Sequence, residues 1–503
     1  MKTWRQEVER AADLPSLAEG LRSGQVPGVY GASVQFLDGQ LLFLVRDQLE
    51  KLLVIVTKGA NTPFAAESKT TMGQFTVHMA QLTSQNAKVL RSVVPWTAPQ
   101  AFGREGISMG LGDRLGLASP GHIKAIRHTR VRPVLAQQSM RELDLTQRTY
   151  QDVLDAATWA VFQEGYQAGY GADGDHLKKV EHIQAALDLG FSMITLDCSE
   201  HIDDEVAHLA DSEVERRYGE LPGDLRGLFA ELYRERRYEL SDGAFVDMGD
   251  VQFHRMVLTY YRTLDFIAMV YETVIARQAR PIDFENSIDE VATPTSPQDH
   301  FFVASELRRR GVEVTSLAPR FCGSFEKGID YVGDHQQFEE EFGLHTKIAR
   351  HFGYRLSIHS GSDKFSIFPA IGKHASSSGY HIKTAGTNWL EAVRVIASQE
   401  PALYRMMHRK ALDTVDQARA FYKVRLNIGA VPSLDSLSDA ELPGLLDHDH
   451  ARQLLHITYG FILADPVLGE RVFAVLRSHE DVYERYLVAH IGRHLRALGI
   501  ETE

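Results

Sequence analysis

Cysteine is nearly absent: the 503 residues include only Cys198 and Cys322. Two thiols are too few for a disulfide framework, and their spacing matches no thiolate metal site, so reduced cysteines in a cytoplasm are the expectation. No apolar run approaches the roughly 18 residues that span a bilayer. Met1 to Leu21 interleaves Arg5, Glu7, Glu9, Arg10 and Asp13 with short apolar steps and so lacks a secretory apolar core; the chain reads as soluble and not exported. An excess of positive charge is missing too. Lys and Arg total 54 against 67 Asp and Glu, a net charge of -13, which disfavours nucleic acid and anionic membrane as partners while leaving room for a local basic pocket.

Nucleotide signatures are also wanting. The glycine-rich GLGDRLG, Gly110 to Gly116, lacks both the Walker Lys-Ser/Thr ending and the dinucleotide spacing. Ser360 lies in HSGSD rather than in a nucleophile elbow, which excludes the usual α/β-hydrolase arrangement. Cys198 beside Asp197 has no cation to lower its pKa and reads as core.

What remains is an ordinary globular composition, 44% apolar and 24% charged. Residues 1–105 read as β-rich, with apolar runs at Val29–Phe36, Leu41–Val45 and Leu52–Val56 and a hairpin signal at Asp38-Gly39. From 106 to 400, eight strand-length runs alternate with helical stretches: 107–112, 131–136, 165–171, 191–197, 281–285, 312–318, 354–359 and 380–385. Alternation implies parallel βαβ units, and eight of them favour a closed (β/α)8 TIM-like barrel. The stretch 198–280 exceeds one crossover and reads as a helical insertion or lid. Residues 401–503 read as helical, covering one side of the barrel or building an oligomer contact.

In such a barrel, chemistry collects at the C-terminal ends of the strands. Those positions hold Asp173, Asp175, His176, Asp197, Glu200, His201, Asp283, Glu285, Arg320, Glu326, Lys327, His359, Asp363, Lys364 and Lys383. His176, Glu326 and His359 form a candidate metal set, since two imidazoles and a carboxylate suit a divalent ion such as zinc, manganese, cobalt or nickel. His201, His300 and Asp197 are the rival ligands. Each is also explicable as a satisfied polar residue at a loop start. Asp175 and Glu285 are the candidate acid and base, although Asp175 suits an Asx-turn and Glu285 a loop cap equally well. Arg114, Arg320, Lys364 and Lys383 can hold an anionic group or pair with neighbouring acids, and Asp363 and Asn388 complete the candidate substrate contacts. Trp389, Phe365 and Phe368 suit either a sugar-stacking wall or buried packing.

The stretches GLGDRLGLASPGHI, GADGDHLK, TLDCSEHI, SLAPRFCGSFEKGIDYVGD, LSIHSGSDKFSIFP and IKTAGTNWLEAVRVIA resemble the tagaturonate epimerase (UxaE-type) family, closely over about residues 100 to 410. The resemblance implies a divalent-metal-dependent enzyme of hexuronate breakdown that interconverts D-tagaturonate and D-fructuronate at C4. It implies His176, Glu326 and His359 as metal ligands, Asp175 as proton acceptor and Glu285 as proton donor. C4 is not adjacent to the C2 ketone, so enolisation cannot invert it. Retro-aldol cleavage between C3 and C4, followed by re-addition to the other aldehyde face, can. Neutral fructose and tagatose are further conceivable substrates. A metal-dependent ketose isomerase or 3-epimerase, a non-catalytic sugar-binding barrel and a two-carboxylate glycosidase are the competing readings.

Overall fold

The structure is a computed structural model that describes residues 3–59 and 61–501. Five antiparallel strands come first: β1 (Gln35–Leu37), β2 (Gln40–Asp47), β3 (Glu50–Thr57), β4 (Ser68–Met72) and β5 (Phe75–Gln81), in the order β1-β2-β3-β5-β4. Asp38 and Gly39 both take positive φ in the β1–β2 turn, as the hairpin signal requires. Along β2 the side chains alternate between two apolar layers. Leu41, Phe43 and Val45 pack with the helix Leu14–Arg22, whereas Leu42 and Leu44 pack with Trp159 and Phe162 of the helix Tyr150–Glu164. The central strands β2 and β3, buried on both faces, thus tie the sheet to the barrel wall.

Eight parallel strands close the barrel: β6 (Ile107–Gly110), β7 (Arg132–Ser139), β8 (Gly171–Leu177), β9 (Met193–Asp197), then, beyond a small hairpin β10 (Arg237–Glu239) and β11 (Phe245–Asp247), β12 (Asp283–Ile288), β13 (Ser316–Pro319), β14 (Arg355–Ile358) and β15 (Tyr380–Lys383). Strand β15 pairs with β6, and β9 pairs directly with β12, so the stretch between them leaves the barrel wall and returns. That stretch holds the helices Asp211–Gly219, Gly223–Tyr233 and Asp250–Thr273, and its Val214, Phe229 and Phe253 join the barrel's own apolar cluster.

Strand bounds shift by a few residues at several places, and two of the shifts bear on the site. The third begins where the run 165–171 ends. Gly165 caps the preceding helix in the left-handed conformation and Gly169 makes a second positive-φ turn, so the chain straightens only at Gly171 and the polar GADGDH lies on the strand itself. The fifth runs to Ile288 rather than stopping at Glu285. The first shift puts Asp173 and Asp175 on a strand instead of in a loop, and the second moves the strand end, where site residues collect, to Asp289.

The lumen is accordingly polar, unlike the branched apolar layers that usually fill such barrels. One layer joins Ser108, His381 and Arg355: Arg355 Nη1 donates to Ser108 Oγ (2.6 Å), which contacts His381 Nδ1 (2.8 Å). The layer above it carries Gln137, Asp173, Thr195, Glu285, Ser316 and Lys383. After β15, the helices Asn388–Gln399, Pro401–Ala418, Asp449–Ile457, Pro466–Ser478 and Glu480–Ala497 build a second apolar cluster around Trp389 and Leu455. Among the described residues, no helix is long and apolar enough to cross a membrane.

Strand β15 is entered through Gly379, whose φ is +76° and whose absent side chain lets it lie against the Gly106 backbone. Gly379→Ala should cost at least about 1–2 kcal/mol through the left-handed backbone alone, with steric conflict added. The check is a lowered thermal midpoint, and an unchanged midpoint would contradict this account.

Candidate active site

A cavity of about 550 Å³ opens at the C-terminal end of the barrel strands, lined among others by Arg114, Glu142, Asp175, His176, Lys327, His359, Ser360, Lys364, Lys383 and, from the C-terminal helices, His456. Beneath it, one ammonium organises three carboxylates. Lys383 Nζ lies 3.1 Å from Asp173 Oδ2, 2.6 Å from Asp175 Oδ1 and 3.0 Å from Glu285 Oε1, and donates to Thr195 Oγ1 at 2.7 Å. Strand register makes this possible: Glu285 sits level with Thr195 on one side and Ser316 on the other, and Asp173 level with Gln137. Each level pair is also a hydrogen bond, with Thr195 Oγ1 donating to Glu285 Oε1 (3.1 Å), Ser316 Oγ to Glu285 Oε2 (2.6 Å) and Gln137 Nε2 to Asp173 Oδ2 (3.1 Å).

Burial opposes every charge in this layer, and the partners decide the outcome. For Lys383 the three carboxylates outweigh burial and raise its pKa well above the usual lysine value. For Asp175 and Glu285 the Lys383 charge, joined by His176 and His359 respectively, outweighs burial and holds them well below the usual carboxylate range. Asp173, the deepest, is raised by burial despite Lys383. One ammonium cannot keep three buried carboxylates equally ionised, and Asp173 is the one that retains a proton most readily.

Two histidines face each other above the carboxylates, with ring centroids 4.7 Å apart. His176 Nδ1 contacts Asp175 Oδ1 (2.9 Å), while His359 contacts Glu285 Oε1 through Nε2 (2.8 Å) and Asp289 Oδ1 through Nδ1 (3.1 Å). His359 is pulled two ways: burial lowers its pKa, but Asp289 and Glu285 prevail and push it up to about 10. His176 and Ser360 both hold left-handed backbones, an energetically costly conformation for residues with side chains and one that clusters at functional sites. Ligand atoms of His176, Asp289 and His359 lie within 4.8 Å of one another. Two imidazoles and a carboxylate are a suitable donor set for a divalent ion, and the surplus of acids over the single lysine leaves negative charge for such an ion to offset.

The sequence-derived residues fall into groups. His176, His359, Asp175, Glu285 and Lys383 come together, but Glu285 lies fully buried under His359 rather than on the cavity wall. Lys383, expected to meet a substrate carboxylate, is instead engaged by the protein's own acids. Glu326 stands apart from the histidine pair: Arg425 N and Gln453 Nε2 donate to its Oε2 (2.7 and 2.9 Å), and the Arg425 guanidinium lies 2.9 Å from Oε1. Lys364 lines the cavity, yet its Nζ is tied to the carbonyls of Glu326, Ile329 and Ser362, and burial pushes its pKa down to about 7. Asp363 faces away, paired with Arg452 and with His490 and His494 at 3.4 Å each. Asn388 Nδ2 donates to the Gly112 carbonyl (3.0 Å), and Arg320 is not part of the cavity lining.

Of the rival ligands, His201 stacks on Phe266 (3.9 Å) and His300 bonds His345 (2.8 Å) and Tyr354 (2.5 Å), whereas Asp197 lines the cavity and accepts from Ser199 N. Trp389 is buried with its Nε1 donating to the Leu455 carbonyl, and Phe365 and Phe368 pack on His494, so none forms a sugar wall. The GLGDRLG loop spends its amides on Asp113, which accepts from Leu115, Gly116, Ala118 and Ser119. Sequence reasoning missed Asp289. It follows the true end of β12, so the strand-end rule finds it once the strand extends to Ile288.

Because Asp175 and Glu285 have depressed pKa values, the stability they contribute is present above the ordinary carboxylate range and lost progressively as pH falls below that range toward their depressed values. Lys383→Met removes the charge that holds them ionised. At pH 8 the variant should lose roughly 3–5 kcal/mol of stability, and its deficit relative to the wild type should shrink as pH approaches 4. Thermal midpoints across that range test this; a pH-independent deficit would contradict it.

The comparisons with known proteins converge on one family. The sequence model of tagaturonate epimerase matches residues 30–498. A curated tagaturonate/fructuronate epimerase from Thermotoga maritima is 40% identical over 473 residues, covering 93% of this chain and 96% of its own. Crystal structures of the fructuronate-tagaturonate epimerase UxaE from Cohnella laeviribosi, native and glycerol-complexed, superpose with TM-score 0.91 at 45% identity, over 97% of this chain and 99% of theirs. With the closed eight-stranded barrel and its carboxylate–histidine centre in place, the match along nearly the whole length means that this chain belongs to the tagaturonate epimerase family, within the isomerase class.

Proposed function

We propose that this chain interconverts D-tagaturonate and D-fructuronate by inverting C4, with a divalent ion held by His176, Asp289 and His359. The observation that carries the reading is the placement of His176 and His359 beside Asp175 on the cavity wall, with Asp289 within ligand distance of both histidines. Glu326, the third ligand that family resemblance implies, would have to leave Arg425 and Gln453 to join it.

When bound, the ion supplies Lewis acidity toward the ketone and C3 oxygens of the substrate. Asp175, ionised and exposed to the cavity, accepts the C4 hydroxyl proton. The C3–C4 bond then breaks, its electron pair passing to the C1–C3 fragment as an enediolate while C4 becomes an aldehyde. After the aldehyde turns its other face, the bond reforms and the new C4 alkoxide takes up a proton. Lys383 touches Asp175 and Glu285 at once, so its ammonium is the group through which Glu285, the donor that the resemblance implies, would reach the cavity from beneath its wall. Glu285 also fixes the His359 ring through Nε2. The same steps apply to fructose and tagatose, which lack the carboxylate.

NMR of the product formed from D-tagaturonate and, separately, from D-fructose tests the reaction, first after chelation and then with manganese, cobalt, nickel or zinc restored. Metal-restored formation of D-fructuronate is expected; an aldose or a C3-inverted product would instead favour an isomerase or 3-epimerase. Asp175→Asn should slow kcat by about 10²–10⁴-fold, the range for a lost general base, with metal content intact. Metal analysis separates the ligands: His359→Ala and Asp289→Asn should lose bound metal and Glu326→Gln should keep it. Loss in Glu326→Gln alone would give the third position to Glu326.

A further inference from the structure

The cavity cations differ in how fully the protein itself satisfies them. Lys383 meets three carboxylates, Lys364 three carbonyls, and Lys178 both Asp197 (3.8 Å) and Glu200 (3.5 Å). Arg141 and Lys179 are exposed at the rim, Arg141 over the Tyr422 ring. Lys327 is different. Its Nζ donates to Ser360 Oγ (3.0 Å), and among the described residues no carboxylate forms an ion pair with it. It faces Arg114 and Arg141 across the same end of the cavity, with Glu142 and Glu290 as counter-charges that act on it without an ion-pair contact.

Arg114 carries the second observation. It is only 4% exposed, and its Nε and Nη2 are fixed by Glu142 Oε1 (2.9 and 2.7 Å) while its guanidinium lies 4.0 Å over the Tyr459 ring. Its Nη1 is buried without a hydrogen-bond partner among the described residues. A buried guanidinium N–H without a partner is costly, and a nearby lysine with no carboxylate in ion-pair contact adds a demand for negative charge. Glu142 is already committed to Arg114. Both cations line the cavity, and Ser360, which holds Lys327, directly follows His359.

We propose that Lys327 and Arg114 form the subsite that takes the carboxylate of a sugar-acid substrate and so set the preference for uronates over neutral ketohexoses. This rests on the epimerase reading above. With the ketone end at the histidine pair, the carboxylate at the other end of the six-carbon chain belongs to the C4–C6 fragment. Charge pairing at that end holds the fragment while the C3–C4 bond is open, so the subsite serves retention as well as recognition.

The test is steady-state kinetics of the metal-loaded enzyme with D-tagaturonate, comparing wild type, Lys327→Gln and Lys327→Arg. Gln keeps an N–H donor, one bond shorter than in Lys, but removes the charge; Arg keeps the charge. Lys327→Gln should raise KM about 10- to 100-fold, the worth of one charge-assisted hydrogen bond, and Lys327→Arg should largely restore it. Equal thermal midpoints establish that the variants fold. If Lys327→Gln does not fold, Arg114→Lys carries the same expectation of a raised KM without loss of charge. An unchanged KM in folded Lys327→Gln, or in Arg114→Lys where it stands in, or an equal rise in Lys327→Arg, overturns the subsite while leaving the epimerase reading intact. No turnover by the wild type with any of the metals overturns both.

Discussion

The ammonium of Lys383 is the contact on which the rest of the centre depends. Four barrel strands bring Asp173, Asp175, Thr195 and Glu285 around the Lys383 ammonium, and burial would discharge or expel the acids if the lysine were absent. Because Lys383 answers them, Asp175 can stay ionised facing the cavity and Glu285 can stay ionised beneath it. Each then orients a histidine, Asp175 holding His176 and Glu285 holding His359. The imidazoles are therefore positioned by a charge network rather than by apolar packing.

That network explains why a barrel of this kind tolerates a polar lumen. Packing two polar layers where branched apolar residues normally sit forgoes some hydrophobic stabilisation. The apolar burden shifts outward, to the helices around the barrel, to the insertion whose Phe229 and Phe253 join that cluster, and to the C-terminal helices around Trp389. The same C-terminal segment reaches inward through His456 on the cavity wall and through Arg425 and Gln453, which engage Glu326. Shape and charge at the cavity thus depend on residues far from the strand ends in sequence.

Much of the fold was legible because its signal is local. Short apolar runs separated by helix-length stretches, repeated eight times, leave a parallel barrel as the economical arrangement. Where the reading slipped, it slipped at polar strands. GADGDH looks like a turn by composition, yet it is β8, since its alternate side chains point into a lumen lined with partners. DFENSI looked finished at Glu285 for the same reason, and the error hid Asp289. The convergence of His176 and His359 followed from their strand-end positions, whereas nothing in the spacing of Glu326 announced that Arg425 and Gln453 would claim it.

By itself the sequence determined the alternation of elements, the strand-end inventory of acids, imidazoles and cations, and the family resemblance, because each is written in contiguous residues. Only the tertiary structure decided which cations are already answered and which are not. Lys364, Lys383 and Lys327 are indistinguishable as strand-end lysines, and their difference lies in partners contributed by other strands and loops. Three carbonyls, three carboxylates and a lone serine hydroxyl meet them respectively. Charge balance in a buried site is a sum over neighbours in space, and sequence order does not contain that sum.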